Sequence, residues 1–108
     1  MRRAIRFLRR CISYQSSPVI LMYHRVAEPQ CDPWGLAVSP IHFEQQMRVL
    51  RAHRRPLPMS EFVQRLCLGT LPDRAVGITF DDGYIDNLLN AKSILRRYEI
   101  PATFFLVT

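Results

Sequence analysis

Three uninterrupted apolar runs divide this chain, and between them apolar residues return at helical spacing. The first run, Val19-Ile20-Leu21-Met22-Tyr23, follows Ser16, Ser17 and Pro18 and precedes a segment from Ala27 to Gly35 that holds Pro29, Pro33 and Gly35. A run this short fits a strand or a helix, but the prolines leave no room for a helix. The pattern therefore predicts a strand buried on both faces, then a loop. Ser39-Pro40 next supplies an N-cap and a first-turn proline, and Phe43, Met47 and Leu50 recur at i, i+4 and i+7. This predicts an amphipathic helix ending near His53. Pro56 and Pro58 break it, and Ser60 opens a shorter helix with Phe62, Val63 and Leu66 on its apolar face and Gly69 as its stop. Cys67 falls on the core side of that helix and reads as a small buried hydrophobe.

After the turn Leu71-Pro72-Asp73, Ala75-Val76-Gly77-Ile78-Thr79-Phe80 reads as a second buried strand. Tyr84, Leu88, Ala91, Leu95 and Tyr98 then keep helical spacing, while Lys92, Arg96 and Arg97 gather where the helix dipole favours cations. Pro101 forbids continuation, and Thr103-Phe104-Phe105-Leu106-Val107 forms a third strand-like run. The order strand, helices, strand, helix, strand predicts a parallel α/β sheet with right-handed crossovers. Three such strands would have exposed edges and an uncovered face, which makes a poor independent domain. The pattern thus reads as the first part of a larger barrel or sheet, since (β/α) barrels take about 250 residues.

Composition adds one separate feature. The chain has 108 residues, 48% of them hydrophobic, and a net charge of +6, which suits one small globular domain rather than a disordered chain. Arg2, Arg3, Arg6, Arg9 and Arg10 crowd the start, with no acid before Glu28. Residues 1–17 therefore read as a basic lead and 18–108 as the domain. Arg6, Arg9 and Arg10 interrupt any apolar stretch that a signal peptide would need, and nothing approaches the run of about 18 apolar residues of a membrane span. The lead is either solvated or an amphipathic helix with Ile5, Leu8 and Ile12 on one side, touching an anionic membrane through residues 1–12. Elsewhere basic residues mix with acids and lack an aromatic stacking platform, so no nucleic-acid partner is expected. Cys11, Cys31 and Cys67 are odd in number and widely spaced, which fits a reducing compartment and favours a cytoplasmic or peripheral-membrane location.

The chemistry concentrates in Thr79-Phe80-Asp81-Asp82-Gly83-Tyr84, where a strand ends and a helix begins. Two adjacent carboxylates resist joint ionisation, so the pair implies a bound cation, a shared proton or open solvent. Ligands of parallel α/β folds collect at the carboxyl ends of strands, which is where the pair lies. Gly83 lets the chain leave the strand sharply. Asp82 as a helix N-cap would explain one carboxylate and leave Asp81 without a task. His24 ends the first strand as the aspartates end the second, so it either joins them on one rim or ties down its own loop by hydrogen bonds. His42 and His53 lack metal-ligand pairing and read as surface residues. A metal would want more ligands than this pair and one histidine, so the first shell is unfinished within these residues.

The motif resembles the first motif of the polysaccharide deacetylases, the NodB-homology or carbohydrate esterase family 4 enzymes. Val19 to Val26 is similar to that family's opening strand, Phe43 to Leu50 to its first helix, and Pro101 to Val107 to the strand after the motif. The resemblance implies the N-terminal part of a (β/α)7-type, TIM-like barrel and metal-dependent hydrolysis of N-acetyl or O-acetyl groups on a glycan. It implies Asp81 as general base and Asp82 as ligand of a divalent metal, zinc foremost. The H-[ST]-x-x-H motif that supplies two further ligands is absent from the sequence, so the 108 residues alone are expected to turn over little or no substrate. A non-catalytic carbohydrate-binding relative is the alternative. A phosphoacceptor receiver domain also uses an acidic pair, but normally at its first strand.

Overall fold

A computed structural model describes residues 17–107. The basic lead, its proposed amphipathic helix and Cys11 lie outside those residues. The elements are β1 (Val19–Tyr23), β2 (Arg25–Val26), β3 (Ala37–Val38), α1 (Pro40–His53), β4 (Arg55–Pro56), α2 (Met59–Leu68) and β5 (Ala75–Phe80). A π-helical turn (Asn87–Ala91) then runs into α3 (Lys92–Arg97), and β6 (Thr103–Phe104) follows. All strand pairs are parallel.

The most apolar strand takes the centre. All six residues of β5 are buried. β1 runs along one edge, in register from Val19 opposite Val76 to Tyr23 opposite Phe80. The other edge is shared: the Val76 carbonyl accepts from Leu57 at 2.9 Å beside β4, and the Phe80 carbonyl accepts from Phe105 at 2.8 Å beside β6. Successive carbonyls along a strand alternate in direction, so Val76 and Phe80 face the same side. β2 and β3 form a separate two-stranded ladder.

α1 spans the interval that its caps mark. The Ser39 hydroxyl accepts the His42 amide at 3.2 Å and Pro40 opens the helix. Phe43 and Met47 face inward and, with Tyr23, Val76, Ile78, Phe80, Ala91, Ile94, Leu95 and Ile100, form the core on one face of the sheet. Its centre is aromatic: the Phe80 ring lies 5.4 Å from Tyr23, 5.8 Å from Phe43 and 4.8 Å from Phe104. On the opposite face, the first turn of α2 lays Met59 and Phe62 against Gly77, where a side chain would collide with the Met59 sulfur.

Four expectations need correction. β1 is not buried on both faces: Ile20 is 50% and Met22 62% exposed, because α2 covers only the neighbourhood of Gly77 on their side. Cys67 is exposed, as are Val63 and Leu66, since α2 meets the sheet through its first turn and its later turns have nothing to pack on. The last strand is two residues long rather than five. Tyr84 and Leu88 are exposed, and the inward residues of that segment include Asp86 and Asn87. Among the described residues, no helix is long and apolar enough to cross a membrane.

Tyr23 links this core to pH. Its hydroxyl donates to Gln46 Oε1 at 2.6 Å, and burial pushes its pKa from 10.0 up to about 12. The folded state favours the neutral phenol, so this contribution is complete below pH 10 and is lost as pH rises from 10 toward 12. Urea unfolding followed through that range is expected to show stability falling with pH, and Tyr23→Phe is expected to flatten the slope.

Candidate active site

The β1–β5 register builds the site. Tyr23 and Phe80 are the last paired residues, and the Asp81 amide donates to the Tyr23 carbonyl at 2.9 Å, so His24 and Asp81 occupy the next rung together. The rings of Tyr23 and Phe80 are stacked on the core side. Alternation turns the next residue of each strand to the other face. There His24 Nε2 stands 3.9 Å from Asp81 Oδ2, with the side chains 26% and 32% exposed. The imidazole approaches the aspartate beyond hydrogen-bond distance, and the His24 backbone carbonyl accepts from Asn87 Nδ2 at 3.2 Å.

Asp82 and Gly83 carry the chain out of the strand with consecutive left-handed conformations, φ 71° and 66°. Asp tolerates that region better than most side chains because its short carboxylate can interact locally. Gly83 is needed there twice over, since a Cβ would also meet the Leu106 side chain at 3.1 Å. Asp82 is exposed and its carboxylate makes no hydrogen bond or ion pair with another described residue. It is not a helix cap. An unpaired, outward carboxylate in a constrained backbone is an available ligand, and strain of this kind collects at functional sites.

Residues that sequence patterning passes over complete the surroundings. Asp86, 8% exposed, accepts the Val26 amide on Oδ2 at 2.8 Å and pairs with Arg25 Nε at 3.4 Å. The Arg25 guanidinium also lies over the Tyr84 ring, 4.9 Å from its centroid. Asn90 Nδ2 donates to the Val26 carbonyl at 2.8 Å. The signal that marks these residues is polar rather than apolar: Asp86, Asn87 and Asn90 share a helix face at i, i+1 and i+4. His42 and His53 are exposed on α1, away from this cluster.

Among the described residues, no three His, Cys, Asp or Glu side chains come together as a ligand set. Asp82 fits as one ligand and cannot hold a divalent ion alone.

Comparison with known proteins bears on this constellation. Residues 68–108 match the polysaccharide deacetylase family model. The poly-beta-1,6-N-acetyl-D-glucosamine N-deacetylase of Staphylococcus aureus is 33% identical over 107 residues, an alignment that covers 87% of this chain and 37% of that protein. Its namesake in Staphylococcus epidermidis is 35% identical over 109 residues, with the same coverage of 87% and 37%. The chain thus spans a little over a third of the length of these curated relatives. Among solved structures, the Streptococcus pyogenes deacetylase PplD in complex with acetate superimposes with a TM-score of 0.73 at 32% identity, covering 85% of this chain and 44% of that one. IcaB from Ammonifex degensii gives 0.70 at 31%, covering 84% and 38%. Residues 68–108 thus match the polysaccharide deacetylase family, and the strand scaffold that carries His24 and Asp81 is similar to that of solved deacetylases.

Proposed function

We propose that these residues form the first part of a (β/α)7-type barrel that hydrolyses N-acetyl groups on a glucosamine polysaccharide. The reading is carried by one observation: His24 and Asp81 meet at 3.9 Å on the strand-end rim, and the exposed Asp82 that follows Asp81 in the chain has no partner among the described residues. The nearest support for the substrate class is the poly-beta-1,6-N-acetyl-D-glucosamine named for the staphylococcal relatives.

Asp81 is the general base. It is partly exposed, so water can reach it, and it sits at the end of a fully buried strand, which fixes its position. Its task is to take the proton of a water molecule that attacks the acetyl carbonyl. His24 Nε2 stands 3.9 Å from its carboxylate, on the same rim. Asp82 contributes a ligand to a divalent ion, zinc foremost, whose other ligands lie outside the described residues. Such an ion supplies Lewis acidity toward the carbonyl and toward water, and offsets the repulsion between the two carboxylates.

The test is acetate release from acetylated β-1,6-linked glucosamine oligomers, with bound zinc measured in parallel, on the 108 residues alone and on the complete gene product. The 108 residues are expected to bind zinc weakly and release no acetate above background. The complete product is expected to show zinc-dependent release. Release by the short chain at an equal rate would refute the need for outside ligands. Oligomer binding by the complete product without any acetate would favour the non-catalytic carbohydrate-binding alternative.

A further inference from the structure

The segment that enters α3 grips the strand end that carries His24. Asn87 Nδ2 donates to the His24 carbonyl at 3.2 Å, Asn90 Nδ2 to the Val26 carbonyl at 2.8 Å, and Asp86 accepts the Val26 amide at 2.8 Å and Arg25 Nε at 3.4 Å. Every residue of His24-Arg25-Val26 is therefore bonded to one face of one helix. Two features go beyond what packing alone requires. Asn87 is 3% exposed, and its Oδ1 is buried without a hydrogen-bond partner among the described residues. An apolar side chain of similar volume would avoid that desolvation cost but leave the His24 carbonyl without its donor, so the amide serves the strand end rather than the core. The widened helical turn, Asn87–Ala91, also runs through both asparagines, and π-turns of this kind occur mostly at functional sites.

We propose that Asn87 is a positioning residue for the deacetylation site: together with Asp86 and Asn90 it sets the backbone of His24 so that the imidazole stands against Asp81. The proposal rests on the reading of Asp81 as the proton acceptor. The backbone of Tyr23 is already fixed by its pairing with Phe80, and Val26 is held on both its amide and its carbonyl. The peptide between them is held on its amide side by Arg25 N, which donates to the Leu36 carbonyl at 3.3 Å, and on its carbonyl side by Asn87 at 3.2 Å. Without the Asn87 bond that peptide keeps only the longer Leu36 contact and can tilt about it, which releases the imidazole from the aspartate while the core beneath stays in place.

The test reads the His24–Asp81 pairing directly by NMR on the isotope-labelled chain at fixed pH, without depending on catalysis. In the otherwise unaltered chain, Asp81→Asn is expected to move the His24 ring resonances. In an Asn87→Leu background the same substitution is expected to leave them unmoved, while the chain keeps its folded spectrum. An equal response in both backgrounds would overturn the positioning role and leave the proposed function intact. No response even in the unaltered chain would remove the pairing, and with it both the positioning role and the observation that carries the proposed function. Asn87→Ala serves as the milder variant; if both Asn87 variants unfold, the residue is structural and the proposal fails.

Discussion

Phe80→Ala is expected to bring the fold to the edge of unfolding. Phe80 is fully buried on the central strand, and the rings of Tyr23, Phe43 and Phe104 surround it at 5.4, 5.8 and 4.8 Å. Truncating a buried phenylalanine costs about 3–5 kcal/mol through lost transfer energy and the cavity left behind. Aromatic pairing adds about 0.5–1.5 kcal/mol per contact to what is lost. Total stability of a small domain is about 5–15 kcal/mol, so one substitution consumes much of it. The site suffers as well, because Phe80 immediately precedes Asp81 and its stacking on Tyr23 sets the rung beneath the His24–Asp81 pair. Phe80→Leu keeps most of the volume and is expected to cost less than half as much. Urea unfolding of both variants checks the order. A Phe80→Ala chain as stable as the parent would show that the aromatic cluster is not the centre of the core.

Part of this architecture is legible in the residue pattern alone. The strand ahead of the aspartates and the helix from Pro40 to His53 carry strong signals: six buried residues in a row in one case, a serine cap with a first-turn proline in the other. What escapes the pattern is governed by contacts too short or too distant to leave a period. β2, β3 and β4 hold two residues each, and no alternation can be read over such a length. Cys67 sits on the apolar face of its helix, yet that face meets the sheet only through Met59 and Phe62. Tyr84 and Leu88 keep the right spacing but lie on the outer side, because the inward side is taken by Asp86 and Asn87 bonding to β2 and the end of β1.

For the site, position on a common rim follows from strand ends, but the pairing itself does not. His24 meets Asp81 because β1 and β5 are adjacent and in a register that makes Tyr23 and Phe80 partners. A shift of one residue in that register would turn the imidazole to the other face. The buried asparagines hold that arrangement from the side, a role invisible to any pattern built on apolar positions alone.

Asp82→Asn is expected to separate stability from function. Asp82 follows Asp81 directly in the chain, has no partner among the described residues and sits at φ 71°. Asparagine tolerates the left-handed region equally well and removes a like charge, so the folded state is expected to gain a few tenths of a kcal/mol up to about 1 kcal/mol at low salt. Activity of the complete gene product moves the other way. Lewis-acid stabilisation is worth several kcal/mol, and each 1.36 kcal/mol is tenfold in rate, so acetate release is expected to fall about 10³-fold with zinc affinity falling alongside. Asp81→Asn is expected to give the contrasting pattern, since loss of the proposed general base would cost about 10²–10⁴-fold with zinc retained. Zinc titration beside acetate release on the two variants reads the division of labour, since a ligand lost and a proton acceptor lost slow the reaction alike but differ in the metal that remains bound. Equal loss of zinc in both variants would make Asp81 a ligand as well and leave the attacking water without its assigned base.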